Sequence, residues 1–229
     1  MDGIQPEFSS PSPFFVKDCL LSTISTGEHA GTLIEFRDKL MTIHEGCIYH
    51  HFWGGHLRPM FVDPEYHNDF AAWAHHTLHD DILAERLGII DPTEFDDLEQ
   101  LRQAVLEVVE ERLDEREVFY WSKKREHFHF VQSKIIIFST PLQIATPLDL
   151  IKIVPIMSSH SIFYHFIDAK RRSPEGWDDF SIWLKSFGDE YTDLIHQLQS
   201  VDPYFFSLVE LRKELIRIIK NYFIKDEYE

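Results

Sequence analysis

Cysteine is nearly absent: Cys19 and Cys47 are the two in the chain. They form no C-x-x-C pair, so no disulfide scaffold is expected and a reducing compartment follows. Positive charge is also scarce, with 22 Lys and Arg against 39 Asp and Glu and a formal net charge of -17. A surface that acidic repels phosphate backbones and anionic lipid, which argues against nucleic-acid and membrane partners. The one compact basic run, Lys123-Lys124-Arg125, is followed at once by Glu126 and reads as a turn. No apolar run approaches the ~18 residues that cross a bilayer. The opening MDGIQPEFSSPSPFF carries acids and prolines where a secretory signal has a basic start and an apolar core. A flexible leader over 1–12 and a cytoplasmic location are expected. Several catalytic signatures are missing too: no G-x-S-x-G, no Walker loop, no G-x-G-x-x-G and no H-E-x-x-H.

What the chain has is apolar and aromatic mass. Of its 229 residues 44% are hydrophobic and 14% aromatic, including 19 Phe and 5 Trp, enough for a packed core. It also echoes itself. IYHHF at 48–52 corresponds to IFYHF at 162–166, a shift of 162 − 48 = 114. At that shift Thr32 meets Thr146, Glu35 meets Asp149 and Arg58 meets Arg172. Asp69-Phe70-x-x-Trp73 then meets Asp179-Phe180-x-x-Trp183 at a shift of 179 − 69 = 110, the difference falling in a proline-containing loop. Asp91-Pro92 meets Asp202-Pro203, and Leu101-Arg102 meets Leu211-Arg212. The order of these landmarks reads as an internal duplication.

Each half predicts the same elements. A short apolar strand comes first, over 13–21 and within 118–138, where HFHFV alternates and IIIF is β-branched. A helix follows at 31–44, with Leu33, Phe36, Leu40 and Ile43 at helical spacing. In its counterpart Pro147 starts the helix and Pro155 ends or kinks it. The next helix, 46–57, carries the histidines and is matched at 160–171. Asn68 caps another, and a short one spans 80–88. Asp91, with Pro92 at the first position, caps a last helix bearing Leu98, Leu101, Val105 and Val109; Asp202-Pro203 opens its counterpart. The expected fold is therefore mainly α with a small β component (α+β). Two tandem helical repeats, 13–117 and 118–229, pack as one unit about a pseudo-two-fold axis.

Helical spacing turns His51 and His165 inward with Ile48, Phe52, Ile162 and Phe166. Asp69 and Asp179 are the natural acceptors for these rings, unless they cap their helices. Arg58 and Arg172 lie two turns further along, and an Arg beside a His and an Asp suits a carboxylate or phosphate. The candidate ligand-binding set is thus His51, His165, Arg58, Arg172, Asp69 and Asp179, lining a groove between the repeats. An alternative uses the adjacent pair His79-Asp80, with His51 upstream, as ligands of a metal-dependent hydrolase of the HD type. His75 and His79 share a helical face but have no echo, and read as solvated surface. Cys47 and its counterpart Ser161 read as small residues packed at helix starts.

The Thr-Gly at 26–27, the I-Y-x-H pattern, N-D-F-x-x-W, D-P and L-R together resemble an uncharacterised family of bacterial and archaeal proteins with a twofold-repeated domain of unknown function. The resemblance covers about residues 14 to 225. It implies the fold and the repeat and carries no established activity. Asp178 in place of Asn68, and Pro155 within the first helix, set the second half apart. The expected role is a binding or interaction module rather than an enzyme, with a protein partner or a small anionic ligand. No cofactor is assigned, and a divalent metal enters only with the hydrolase alternative.

Overall fold

Strand formation reaches well past the alternating segments. In the computed structural model, which describes residues 11–57, 66–115, 126–203 and 206–225, β1 (Phe14–Ala30) and β2 (Phe128–Ile144) each run 17 residues. Sequence patterning predicts roughly half of each. The extra length is Ser-, Thr- and Ile-rich, suited to extended backbone by its β-branched content, but too exposed to show alternation. Arg58, the basic run at 123–125 and the expected repeat boundary at 117/118 lie outside the described residues.

The two strands form one antiparallel two-stranded sheet. Thr26 Oγ1 donates to the Phe130 carbonyl at 2.5 Å, and Thr140 Oγ1 to the Val16 carbonyl at 2.7 Å. Both pairs sum to the same value (26 + 130 = 16 + 140 = 156), as a single antiparallel register requires. The strands also bury matching positions. Phe14, Val16, Cys19 and Ala30 are buried in β1, and Phe128, Phe130, Ser133 and Ile144, each 114 residues later, in β2.

The remaining chain is mainly helical. It divides into two compact units: unit 1 is Met1–Asp18 with Ile137–Glu229, and unit 2 is Cys19–Ile136. Both boundaries fall inside strands, which departs from the expected grouping of 13–21 with the first set of helices. The reason is aromatic packing within unit 1. Phe14 lies against Phe180 and Trp183, with ring centroids 5.3 and 5.8 Å away.

In unit 2, α1 (Leu33–Leu40), α2 (Glu45–Trp53), α3 (Asp69–His76), α4 (Asp81–Gly88) and α5 (Leu98–Asp114) follow β1. Each of the first four begins at a side-chain cap that accepts an otherwise unpaired N–H: Thr32 from Glu35, His44 from Gly46, Asn68 from Ala71 and Asp80 from Leu83. The expected single helix at 31–44 is interrupted by a turn before His44. Asp91-Pro92 opens only a 3-10 turn (Pro92–Glu94), correcting the predicted start of the last helix. Asp97 caps α5 instead, accepting from the N–H groups of Glu99 and Gln100. From α5 the buried Arg102 donates to the carbonyls of Leu40 and Ile43 at 2.8 Å, satisfying groups that α1 leaves open at its C-terminal end. Phe36, Phe70, Trp73, Phe128 and Phe130 form the aromatic core.

In unit 1 the helices are α6 (Leu150–Ile153), α7 (Ser159–Ile162), α8 (Ala169–Arg172), α9 (Asp179–Lys185), α10 (Thr192–Gln199) and α11 (Leu208–Lys225). Pro147 and Pro155 each sit in a 3-10 turn flanking α6, as their ring constraints demand. A π-helical stretch, Phe163–Asp168, joins α7 to α8 and is buried throughout. Ser207 and Glu210 exchange side-chain-to-backbone bonds ahead of α11, so Asp202-Pro203 does not start that helix. Arg212 of α11 donates to the Met157 carbonyl at 2.8 Å. Among the described residues no helix is long and apolar enough to cross a membrane.

Candidate functional site

The candidate residues form two pairs, one in each unit. In unit 2, α2 buries His51 through its apolar face, and α3 presents Asp69 in its first turn. His51 Nδ1 lies 2.8 Å from Asp69 Oδ2. Its Nε2 accepts from the backbone N–H of Val131 in β2 at 3.2 Å. In unit 1, His165 Nδ1 lies 2.7 Å from Asp179 Oδ2, and its Nε2 accepts from the backbone N–H of Lys17 in β1 at 2.8 Å.

The chemistry of both rings follows. A nitrogen that accepts from a backbone N–H carries no proton, so the proton sits on Nδ1 and points at the carboxylate. Each neutral imidazole then has its donor and its acceptor in use. The buried rings are further held by aromatic neighbours, His51 by Phe70 and Phe128 and His165 by Phe14 and Phe180. The helices are capped by Asn68 and Asp178, one residue earlier, which leaves Asp69 and Asp179 to the histidines.

Arg172 joins the unit 1 pair. Its Nη2 donates to Asp179 at 3.1 Å and to the Tyr164 carbonyl at 3.0 Å, and its Nε to Asp168 at 2.9 Å. The guanidinium carbon lies 4.2 Å from the Tyr164 ring centroid. Burial works against this charge, yet Asp179 and Asp168 together raise the Arg172 pKa above its ordinary value. Asp168, fully buried at the end of the π-helical stretch, also receives Arg171 at 3.1 Å. Two carboxylates already answer the positive charge of Arg172. Its expected partner in the other pair, Arg58, lies outside the described residues.

The alternative metal set is not assembled. Asp80 is buried and faces Arg112 of α5, whose Nε and Nη2 reach it at 2.9 Å. His79 is exposed, with a left-handed backbone (φ 52°) just before the α4 cap. His75 pairs with Asp81 at 2.8 Å on the surface. Among the described residues, His50, His51 and Asp69 have ligand atoms that already lie within 4.8 Å of one another, a spacing compatible with a metal ion. His50 Nδ1 is 2.6 Å from Ser133 Oγ. Cys47 is buried, and desolvation pushes its thiol pKa up despite Arg102, which removes thiolate character.

Sequence patterning brought His51 to Asp69 and His165 to Asp179 but missed the strand N–H groups that complete each pair. Those donors are backbone, so no residue type marks them. Asp168 was missed as well; its i, i+4 spacing to Arg172 was the available signal. A cleft of about 520 Å³ in unit 1, with Asp202, Glu214 and Arg217 in its lining, holds none of the candidate residues, and Arg217 is paired with Glu214.

Over residues 11–220 the sequence matches a family described as a family of unknown function (DUF5752). No curated protein matches it. The chain is similar to the solved structure of OrfY from Thermoproteus tenax, with a TM-score of 0.79 and 28% identity, covering 93% of this chain and 97% of that one.

Proposed function

We propose that this chain, which belongs to the DUF5752 family, is a protein-binding module built from one strand-and-helix unit used twice. In this reading His51 and His165 are fastenings and not catalysts. The observation that carries it is the double engagement of each ring: a carboxylate at Nδ1 and a strand N–H at Nε2. An imidazole so held offers neither a lone pair to a metal nor an acceptor to a substrate proton. The matching burial of the strands and the matching His–Asp pairs support the doubled unit.

A protein suits the surface better than a small anion does. Arg172 is already matched by two carboxylates. Large apolar side chains stand in solvent on the strands instead: Leu20, Ile24 and Ile136 in unit 2, and Phe15, Ile137 and Phe138 in unit 1. Covering such side chains gains about 25 cal/mol per Å². With a net charge of -17, the complementary partner carries basic groups around an apolar patch.

The alternative, a metal-dependent hydrolase, now draws support only from the His50, His51 and Asp69 grouping. It requires His51 to give up either Asp69 or the Val131 N–H. One experiment separates the two readings. Partner capture from the native host is compared between the wild type and Leu20→Asp/Ile136→Asp, with phosphohydrolase turnover measured on wild type and His51→Gln. Binding lost in the strand variant supports the module. Equal capture by both proteins, or turnover that His51→Gln abolishes, defeats it.

A further inference from the structure

Unit 2 holds a second group of imidazoles, distinct from the His51 pair. His29 lies in β1, and His127 immediately precedes β2. Their numbers continue the strand register (29 + 127 = 156), so the two stand directly opposite. Their rings are stacked, with centroids 4.9 Å apart and planes within 2°. His129 is two residues along, on the same face as His127. Its ring lies 6.0 Å from that of His29 and 6.5 Å from that of His127. All three side chains are exposed.

The residue opposite His129 is Gly27 (27 + 129 = 156). It has φ +78°, and a Cβ built on it would meet nothing within 4 Å. No side chain rises from the fourth corner, while the His127 ring packs beside Gly31, where a Cβ would lie 3.0 Å from its Cδ2. Two neighbouring carboxylates are engaged elsewhere: Glu28 pairs with Lys39, and Glu35 accepts from the Gly31 N–H. His29 Nδ1 has only a long contact, 3.4 Å, to the Gly27 carbonyl. Among the described residues no hydrogen bond holds the ring of His127 or His129.

We propose that His29, His127 and His129 bind one divalent transition-metal ion. Imidazole nitrogen favours zinc, copper and nickel over the oxygen-seeking magnesium and calcium. Zinc–nitrogen bonds of about 2.0–2.1 Å place ligand nitrogens about 3.3 Å apart in a tetrahedral site. The rings stand further apart than that and close by side-chain rotation, an inexpensive motion for exposed residues. The backbone need not move, because strand pairing holds opposite Cβ atoms about 4.5–5.5 Å apart. Three imidazoles leave a fourth position for water. Protons compete for the same nitrogens, so binding weakens as pH falls. A bound ion ties the end of β1 to the start of β2 and stabilises unit 2 by mass action. This site is independent of the reading of His51 and His165 above.

Calorimetric titration of the chelator-treated full chain with zinc chloride at pH 7.5 tests the proposal. The expected result is one zinc per chain, with affinity at least tenfold weaker in each of His29→Gln, His127→Gln and His129→Gln. The exposed control His196→Gln binds as the wild type does. The three substitutions are at the surface, so metal-free circular dichroism and melting temperature stay unchanged. A loss smaller than tenfold in any of the three, or no saturable binding of one zinc per chain, overturns the site.

Discussion

His165 Nε2 accepts a hydrogen bond from the backbone N–H of Lys17 at 2.8 Å, across 148 residues of sequence. The imidazole takes the place that a neighbouring strand's carbonyl would fill at an open sheet edge. Because Asp179 holds the other ring nitrogen, one side chain locks a strand to two helical segments of unit 1. His51 does the same in unit 2 with Val131 and Asp69.

Removing this fastening costs stability directly. His165→Ala leaves the Lys17 N–H and the Asp179 carboxylate without their partner, and the expected loss is about 2–4 kcal/mol. Urea unfolding measures it. His196→Ala, at an exposed site on α10, changes stability by under about 0.5 kcal/mol. Equal effects from the two substitutions contradict the structural role.

Asp178 caps α9 from a fully buried position, and burial raises its pKa despite bonds from Ser181. The folded form then holds its proton more tightly than the unfolded chain. Its contribution is most favourable at acid pH and declines as pH rises through the raised folded pKa. Asp178→Asn copies the cap at Asn68 and removes the buried charge. Stability at pH 7 is expected to rise by about 1 kcal/mol, with little change near pH 3. A pH-independent effect, or a loss at pH 7, contradicts the assignment.

His56 behaves in the opposite sense to a salt-bridged histidine. Desolvation, aided by His67, lowers its pKa from 6.5 to about 4. Between those values the unfolded chain binds a proton that the folded chain does not. The stability it contributes is therefore complete above about pH 6.5 and falls away toward pH 4, by on the order of 3 kcal/mol at most. Denaturant unfolding at pH 7, 5.5 and 4.5 follows it, and His56→Leu flattens that part of the profile. An unchanged slope in the variant rules out His56 as the source.

Arg112 and Asp80 form a buried pair between α5 and the cap of α4. Arg112→Met strands the carboxylate, at an expected cost of about 3–5 kcal/mol. Replacing both partners, in Arg112→Met/Asp80→Asn, recovers part of that loss because no charge is left buried. Melting temperatures of the three proteins decide it; a double variant no better than the single one would refute the charge explanation.

Much of the helical architecture was legible because it rests on local rules. Asn68 announces a helix start, and Pro147 and Pro155 punctuate as proline must. Inward spacing put His51 and His165 in the core. Asp91 misled because Asx-Pro opens a 3-10 turn as readily as a helix, and Asp97 was overlooked as the true cap. The HFHF alternation also placed His127 and His129 on one strand face, although only the register brought His29 to them.

The sequence by itself determined the class of fold, the Asn68 cap, the inward histidines and membership of an uncharacterised family, all readable from residues near in the chain. Only the tertiary structure decided which helices each strand joins, the length of β1 and β2, and what completes each imidazole. The physical reason is that the two strands bury the same pattern of positions, so patterning alone does not say which core receives which part of each strand. The groups that close the His–Asp pairs are backbone amides, which every residue but proline carries.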